Sequence, residues 1–143
     1  MISTATAQWE GTLKYGSGSI NLQKANAEFS IDAASRFESG SRTTPEELLA
    51  GAEAGCFSMA LAHNLEEAGY SPEKVETTAK TFLEKTNGGF VISRIDIFTR
   101  VQVTGIDLDE FMETVERTKS GCPVSRALAG VKIFADAELT AAT

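Results

Sequence analysis

The chain has 143 residues, of which 42% are hydrophobic and 23% are charged, and its 13 basic and 20 acidic side chains give a formal net charge of −7. This length predicts a single domain over residues 1–143 that buries its core without disulfide or metal staples. The acidic balance argues against nucleic acid or an anionic membrane as the main partner, because phosphate binding depends on clustered Lys and Arg. The composition does not exclude small neutral or apolar substrates.

The sequence contains two cysteines and one histidine. It has no apolar run of the ~18 residues that a transmembrane helix needs, and its first residues lack a secretory pattern, so we expect a cytoplasmic protein. In that reducing compartment a cysteine pair is more often reactive than permanently bridged. These three side chains cannot complete a structural zinc site without carboxylates, and we expect neither a metal nor a cofactor.

Three short strands are predicted at the start of the chain. Over residues 5–15 the odd positions are mostly apolar and the even positions are polar, which is typical of a half-buried strand. The GSGS segment at residues 16–19 turns the chain, and residues 20–22 and 29–31 continue as two further strands. Arg36 follows in a loop.

A long helix is predicted over residues 44–68. Thr44 can cap it, and Glu47, three residues later, completes a capping box. Gly69 ends it. The small side chains at residues 50–55 allow another backbone to approach closely. Because so small a chain has little of its own structure to bury this helix, we expect a homodimer that sandwiches it.

The second half of the chain predicts a hairpin, a second helix and a final strand. Strands at 75–85 and 90–103 flank the turn Asn-Gly at 87–88, which is a strong hairpin signal. The second of these strands places five apolar residues on one face: Val91, Ile95, Ile97, Val101 and Val103. Asp107 caps the second helix, and alternation resumes at 131–139. Together these elements indicate an α+β fold with antiparallel sheet rather than a βαβ series.

The two cysteines occupy different kinds of position. Cys56 lies midway along the long helix on its apolar stripe, where a buried cysteine is often just a small core residue. Cys122 directly precedes Pro123 at the start of a short helical turn, where free N–H groups stabilise a thiolate, although an ordinary turn cysteine fits there equally well. Electrostatics alone therefore favours Cys122 as the thiol of lower pKa.

Cys56 can act as a nucleophile only if the fold brings a cation to it. Six arginines are available: Arg36, Arg42, Arg94, Arg100, Arg117 and Arg126. Arg36 is the most movable of them, although a solvated loop charge is the simpler interpretation. His63 lies about 10.5 Å from Cys56 along the helix, too far for a proton transfer that needs ~3 Å. Glu46, at the helix start, first stabilises the helix dipole.

Three segments resemble the OsmC/Ohr family of hydroperoxide-reducing proteins: residues 36–38 (RFE), residues 43–60 (TTPEELLAGAEAGCFSMA) and residues 119–125 (KSGCPVS). The resemblance covers nearly the whole chain, and the last segment is more similar to the OsmC branch than to the Ohr branch. It implies an OsmC-like α+β fold, with antiparallel sheets around a long central helix and a second helix, in an intertwined homodimer.

The resemblance also implies roles for four residues. Cys56 is the implied peroxidatic thiol, Cys122 the resolving thiol, Arg36 the group that activates thiolate and peroxide, and Glu46 the carboxylate that orients Arg36. The implied reaction is the reduction of organic hydroperoxides, with hydrogen peroxide as a second candidate, through a Cys56 sulfenic acid and a Cys56–Cys122 disulfide. An external dithiol, for this family a lipoyl-type donor, would restore the pair. The resemblance therefore implies that Cys56 attacks the peroxide, although electrostatics alone favoured Cys122 as the reactive thiol.

Other functions fit the same residues. The cysteine pair could serve as a switch in a redox sensor or in a protein that binds small apolar ligands. A structural dimer with inert core thiols is a further alternative.

The spacing of Glu46 and Cys56 raises a geometric question. Ten residues along one straight helix separate them by about 15 Å along its axis. We therefore expect either that the Glu46 serving a given Cys56 comes from the partner subunit, or that the helix breaks near Gly51 or Gly55.

Overall fold

The computed structural model describes residues 1–141 and divides the chain into two compact units, Met1–Leu48 and Leu49–Thr143. The single domain expected from the chain length stays a prediction. Among residues 1–141, no helix combines the length and the hydropathy needed to cross a bilayer.

The first unit contains a three-stranded antiparallel sheet with the strand order β1-β2-β3. Its strands are β1 (Ala5–Glu10), β2 (Ser17–Leu22) and β3 (Ala27–Ile31). All three predicted strands are present, but β1 ends at Glu10 and not at residue 15, and β2 begins at Ser17, so the prediction of a turn at residues 16–19 was wrong. A Cβ atom at Gly16 would lie 2.3 Å from the carbonyl oxygen of Glu10, so the chain can approach β1 this closely only with glycine at that position.

A short helix, α1 (Ala33–Phe37), follows β3 and carries Arg36. The prediction of a loop at Arg36 was therefore wrong. Asp32 caps the helix, because its carboxylate accepts a hydrogen bond of 2.7 Å from the backbone N–H of Ser35. A helix of this length holds too few apolar positions to show a helical period, which is why the sequence pattern did not reveal it.

Helix α2 (Pro45–Glu67) is continuous through Gly51 and Gly55. The Thr44 hydroxyl accepts a hydrogen bond of 3.0 Å from the backbone N–H of Glu47, so the predicted cap is confirmed. Because the helix does not break at either glycine, the prediction that a break brings Glu46 and Cys56 of one chain together was wrong.

The second unit contains a sheet with the strand order β4-β5-β6. Strands β4 (Lys74–Thr86) and β5 (Gly89–Gln102) form the predicted antiparallel hairpin, whereas β6 (Lys132–Thr140) pairs with β5 in parallel. The connection from β5 to β6 passes through α3 (Leu108–Gly121) and α4 (Pro123–Ala127). The α+β class is confirmed, and the parallel pair adds one βαβ connection that was not predicted.

The core of the second unit comes from α2, the β5 region and α3. Its buried apolar side chains include Phe57, Leu61, Leu65, Ile95, Ile97, Val101, Val103, Phe111 and Val115. Val91 is 42% exposed whereas Ile95 and Val101 are buried, so the prediction that Val91 shares their face of β5 was wrong. The register shifts opposite Phe82 and Leu83, and one inserted residue turns this end of β5 to the other face.

Candidate active site

The sulfur atoms of Cys56 and Cys122 lie 3.0 Å apart, although the two residues are 66 positions apart in the sequence. Cys56 lies on α2, and Cys122 is the residue that joins α3 to α4. Both thiols are free, and their separation is clearly longer than the ~2.05 Å of a disulfide bond. The fold therefore brings the two predicted cysteines into contact in their reduced form.

Cys122 is fixed by backbone hydrogen bonds on both sides. Its N–H donates to the carbonyl of Thr118 at 3.0 Å, and its own carbonyl accepts from the N–H of Arg126 at 2.9 Å. Pro123 occupies the first turn of α4, where its missing N–H costs nothing. Only 1% of Cys122 is exposed, so its thiol is held inside the protein and directed at Cys56.

Burial raises the pKa of the Cys56 thiol above its usual value. The hydrogen bond with Cys122 and the negative charge of Glu53 raise this pKa further, whereas a hydrogen bond from the backbone of Val124 lowers it. In the described part of the second unit, no cationic side chain is among the neighbours that shift the Cys56 pKa. Burial, Cys122 and Glu53 therefore all favour the neutral thiol of Cys56 over its thiolate.

Glu53 also contacts the cysteine pair, and the sequence-based predictions missed it. It lies on α2 one turn before Cys56 and is completely buried. Its Oε1 atom accepts a hydrogen bond of 2.5 Å from the Ser125 hydroxyl and lies 3.9 Å from the Cys122 sulfur. The available signal was an acidic residue within a run of Ala and Gly, three positions before a cysteine and on the same helix face.

Arg36 and Glu46 form an ion pair within the first unit. The Nε and Nη2 atoms of Arg36 both donate to Oε1 of Glu46, at 3.0 and 2.7 Å. The Glu46 side chain is only 8% exposed, whereas the Arg36 side chain is 40% exposed. An enclosed carboxylate thus holds a guanidinium whose side chain is partly open to solvent.

Asp32 stabilises α1, the helix that carries Arg36. Its carboxylate caps α1 through Ser35 and also pairs with Arg42 at 3.4 Å. The hydrogen bonds from Ser35, together with the charge of Arg42, hold the pKa of Asp32 below its usual value. Asp32 is therefore a charged anchor at the base of the turn that presents Arg36.

A cavity of about 130 Å³ lies beside Arg36 in the first unit. The apolar side chains of Trp9, Leu13 and Phe37 form part of its wall. A larger cavity of about 570 Å³ lies along the second sheet, but none of the predicted site residues lines it. The smaller cavity is the one that places an apolar surface next to a predicted site residue.

The family described as OsmC-like protein matches residues 38–134, a segment that contains Glu46, Cys56 and Cys122 and begins just after Arg36. Peroxiredoxin OsmC of Escherichia coli (strain K12) is 41% identical over 125 residues, which cover 85% of this chain and 86% of that protein. The chain belongs to the OsmC family. The family predicted from the sequence is thus confirmed.

Solved structures agree with the assignment to the OsmC family. The organic hydroperoxide resistance protein OhrB of Bacillus subtilis is 27% identical, covers 96% of this chain and 98% of its own, and superimposes with a TM-score of 0.67. An organic hydroperoxide resistance protein from Elizabethkingia anophelis is 22% identical, with coverages of 99% and 98% and a TM-score of 0.72. At that lower identity the likeness shows the fold alone, and it confirms the α+β architecture.

Proposed function

We propose that the chain is a thiol-dependent peroxidase that reduces organic hydroperoxides, with Cys56 as the peroxidatic thiol and Cys122 as the resolving thiol. The 3.0 Å contact between the two sulfurs carries this proposal, because a shift of about 1 Å would close the pair to a disulfide. Membership of the OsmC family, and the similarity to a protein named peroxiredoxin OsmC, support it.

In the first step the Cys56 thiolate attacks the distal oxygen of the hydroperoxide. The O–O bond breaks, the alcohol leaves after taking up a proton, and Cys56 becomes a sulfenic acid. Because the pKa of Cys56 is raised, the thiolate needs a cation, and Arg36 supplies it. Arg36 also donates hydrogen bonds to the negative charge that develops on the leaving oxygen, while Glu46 holds the guanidinium in place.

In the second step the Cys122 thiol condenses with the Cys56 sulfenic acid. The products are a disulfide and water, and the disulfide protects Cys56 from further oxidation to sulfinic acid. An external dithiol then reduces the disulfide by thiol exchange, and a lipoyl-type dithiol is the proposed donor. Because this cycle requires a reducing compartment, we assign the protein to the cytoplasm.

The cavity beside Arg36 supports an organic substrate. Its volume of about 130 Å³ equals roughly four water molecules at ~30 Å³ each, enough for a short alkyl chain. The walls formed by Trp9, Leu13 and Phe37 favour an apolar group, and the guanidinium favours the peroxide oxygens. We therefore expect a higher kcat/KM for tert-butyl hydroperoxide than for hydrogen peroxide.

The proposed enzyme is a homodimer that packs through α2. Gly51 and Gly55 have open space where a Cβ atom would stand, and Met59, one turn further on the same face, is 76% exposed. An apolar helix face of this kind is typical of a protein interface. Substituting Gly55 by leucine should therefore weaken the dimer, which sedimentation velocity measures directly.

The continuity of α2 supports pairing between subunits. Glu46 and Cys56 are separated by about 15 Å along the helix axis, so we propose that Glu46 of one subunit serves Cys56 of the other. Mixed dimers with Glu46→Ala in one subunit and Cys56→Ser in the other test this arrangement. Pairing between subunits leaves one site per mixed dimer working at the native rate, whereas a mixed dimer whose intact Cys56 reacts as slowly as in the Glu46→Ala homodimer would reject it.

Mass spectrometry after one equivalent of organic hydroperoxide tests the proposed function. We expect an intramolecular Cys56–Cys122 disulfide in the native chain and a sulfenic acid on Cys56 in the Cys122→Ser variant. With dihydrolipoamide present, the native protein should consume peroxide continuously. Oxidation that stops after one equivalent would instead indicate a redox switch, and two unreactive thiols would indicate a structural role.

A further inference from the structure

Glu53 is a buried carboxylate whose partners are neutral. It is 0% exposed, its Oε1 atom accepts hydrogen bonds from Ser125 and Cys122, and its Oε2 atom is buried without a hydrogen-bond partner. Within residues 1–141, no Lys, Arg or His side chain forms an ion pair with it. Burying a carboxylate without a cation is costly, so its presence beside the cysteine pair calls for a chemical explanation.

The Cys122 thiol has two hydrogen-bond partners within reach. Its sulfur is 3.0 Å from the Cys56 sulfur and 3.9 Å from Oε1 of Glu53, so its single proton can be directed at either atom. When Cys56 is oxidised to a sulfenic acid, its sulfur becomes the atom that Cys122 attacks. The acceptor that then remains for the Cys122 proton is the carboxylate of Glu53.

The proposed second step requires that this proton leaves, because the thiolate and not the thiol is the nucleophile. Cys122 is 1% exposed, so bulk water has little access to it. Ser125 is 5% exposed and already donates its hydroxyl hydrogen to Glu53. Among the described hydrogen-bond partners of the Cys122 sulfur, Glu53 is the one that carries a basic group.

We infer that Glu53 is the general base that accepts the Cys122 proton while the disulfide forms. This inference rests on the proposed peroxidase cycle and adds a catalytic residue to its second step. The Cys122 sulfur loses its proton to Glu53 and bonds to the Cys56 sulfur. The S–O bond of the sulfenic acid breaks, and the departing hydroxide takes up the proton from Glu53 as water. The overall change is one thiol and one sulfenic acid to one disulfide and one water.

Ser125 positions Glu53 for this transfer. Its hydroxyl holds Oε1 at 2.5 Å, on the side of the carboxylate that faces Cys122. The Cys122 thiol contacts this same oxygen, so Oε1 is the atom that takes up its proton, while Oε2 is buried without a hydrogen-bond partner. The same negative charge raises the pKa of Cys56 and therefore opposes the first step, so Glu53 is suited to the second step alone.

Rapid quenching of the native chain and of Glu53→Gln after one equivalent of tert-butyl hydroperoxide tests the inference. Dimedone traps the sulfenic acid and mass spectrometry counts the disulfide, so the two steps are timed separately. In Glu53→Gln we expect sulfenic acid to form at least as fast as in the native chain, and disulfide formation to slow by roughly a hundredfold at neutral pH. Glu113→Gln, which removes the same charge from an exposed position on α3, is the matched control.

The pH dependence separates a base from a purely structural residue. Without Glu53, no neighbouring base takes up the Cys122 proton, so between about pH 6 and pH 8 disulfide formation in Glu53→Gln should rise more steeply with pH than in the native chain. The native rate should change much less over this range. A defect of equal size at every pH, or disulfide formation at the native rate, would overturn the inference.

Two further measurements keep the outcome decisive. Ser125→Ala retains the carboxylate but loses the hydrogen bond that holds Oε1. It should therefore slow disulfide formation less than Glu53→Gln and keep the shallow pH profile of the native chain, because the base is still present. A pH profile as steep as that of Glu53→Gln would overturn the inference. Diamide oxidises the cysteine pair without peroxide chemistry, through a Cys56 adduct that Cys122 must also attack as a thiolate. If the native chain does not react with hydroperoxide, the proposed peroxidase is rejected. If Glu53→Gln nevertheless forms the disulfide more slowly than the native chain with diamide, the role of Glu53 in disulfide formation stands. Equal diamide rates in the two chains would reject the role itself.

Discussion

Helix α2 carries two enclosed carboxylates whose surroundings differ sharply. Glu46, in its first turn, accepts two hydrogen bonds from the guanidinium of Arg36. Glu53, two turns later, is completely buried and is held by a neutral hydroxyl, with one oxygen left without a partner. Two hydrogen bonds from an arginine suit a carboxylate to orient that guanidinium, whereas contact with a thiol suits a carboxylate to accept the thiol proton. Glu46 thus suits the first step of the proposed cycle, and Glu53 suits the second.

The two regions also differ in their exposure to solvent. The side chain of Arg36 is 40% exposed, so a substrate can reach the guanidinium directly. The sulfur of Cys122 and the carboxylate of Glu53 are closed off from solvent, so the second step is protected from competing thiols. Variants in either region should therefore slow different steps, and the expected effects below run from the largest to the smallest.

The cysteine substitutions should give the largest effects. Cys56→Ser removes the nucleophile, so peroxide consumption should fall to the uncatalysed background. Cys122→Ser should still form one sulfenic acid per chain but should not form the intramolecular disulfide. A peroxide assay combined with mass spectrometry distinguishes the two results, and full activity in Cys56→Ser would reverse the assigned roles.

Arg36→Lys should slow sulfenic acid formation by roughly a hundredfold, the usual cost of losing a donor to a developing negative charge. Lysine keeps the positive charge but cannot reproduce the two hydrogen bonds from Nε and Nη2 to Glu46. Arg42→Lys, in the same unit, is the control and should keep nearly full activity. Equal losses in both variants would mean that the first unit responds to arginine loss in general.

Glu46→Gln and Glu53→Gln should slow different steps. Glu46→Gln leaves Arg36 without its anchor, so sulfenic acid formation should fall by about tenfold, while disulfide formation keeps its native rate. Its pH profile should also differ from that of Glu53→Gln. Removing the negative charge of Glu53 lowers the pKa of Cys56, so the rate of sulfenic acid formation should begin to rise at lower pH. Rate profiles of the isolated first step measure both effects, and two identical profiles would contradict the division of roles.

The contrast between the two carboxylates shows what could be predicted from the sequence. The strands, both main helices and their caps at Thr44 and Asp107 follow from local periodicity and capping residues, and the structure confirms them. The paired cysteines followed from resemblance, since their contact across 66 positions depends on how α4 packs beside α2. Glu53 was missed because an acidic residue in a helix is usually solvated, whereas here Cys122 and Ser125 lie against its carboxylate in the folded chain.

Other misses have equally local causes. Arg36 was expected in a loop, but one capped turn is too short to leave a periodic pattern. Val91 was expected on the same face of β5 as Ile95 and Val101, but a single inserted residue reverses which face it occupies. The parallel pairing of β6 with β5 depends on the path of the chain through α3 and α4, which alternation within a strand does not encode.

The smallest effect is expected at Asp32, which caps the helix that presents Arg36. Asp32→Ala removes the 2.7 Å hydrogen bond from the backbone N–H of Ser35, so α1 should fray and sulfenic acid formation should slow by a few-fold, on the scale of a lost cap. Asp32→Asn should restore most of this rate, because asparagine caps a helix as well as aspartate does.

The pKa of Asp32 sets the pH below which its charged cap on α1 is lost. That pKa is lowered in the folded chain from 3.8, so the stabilising contribution of the charged cap is present above this value and is lost as the pH falls through the lowered one. The native chain and Asp32→Asn should therefore differ little at neutral pH, and the native chain should lose its charged cap only under more acidic conditions. Protection of the α1 amides from hydrogen exchange reports this loss directly. If Asp32→Asn proves as slow as Asp32→Ala, the pairing of Asp32 with Arg42, and not the cap, is what keeps Arg36 in place.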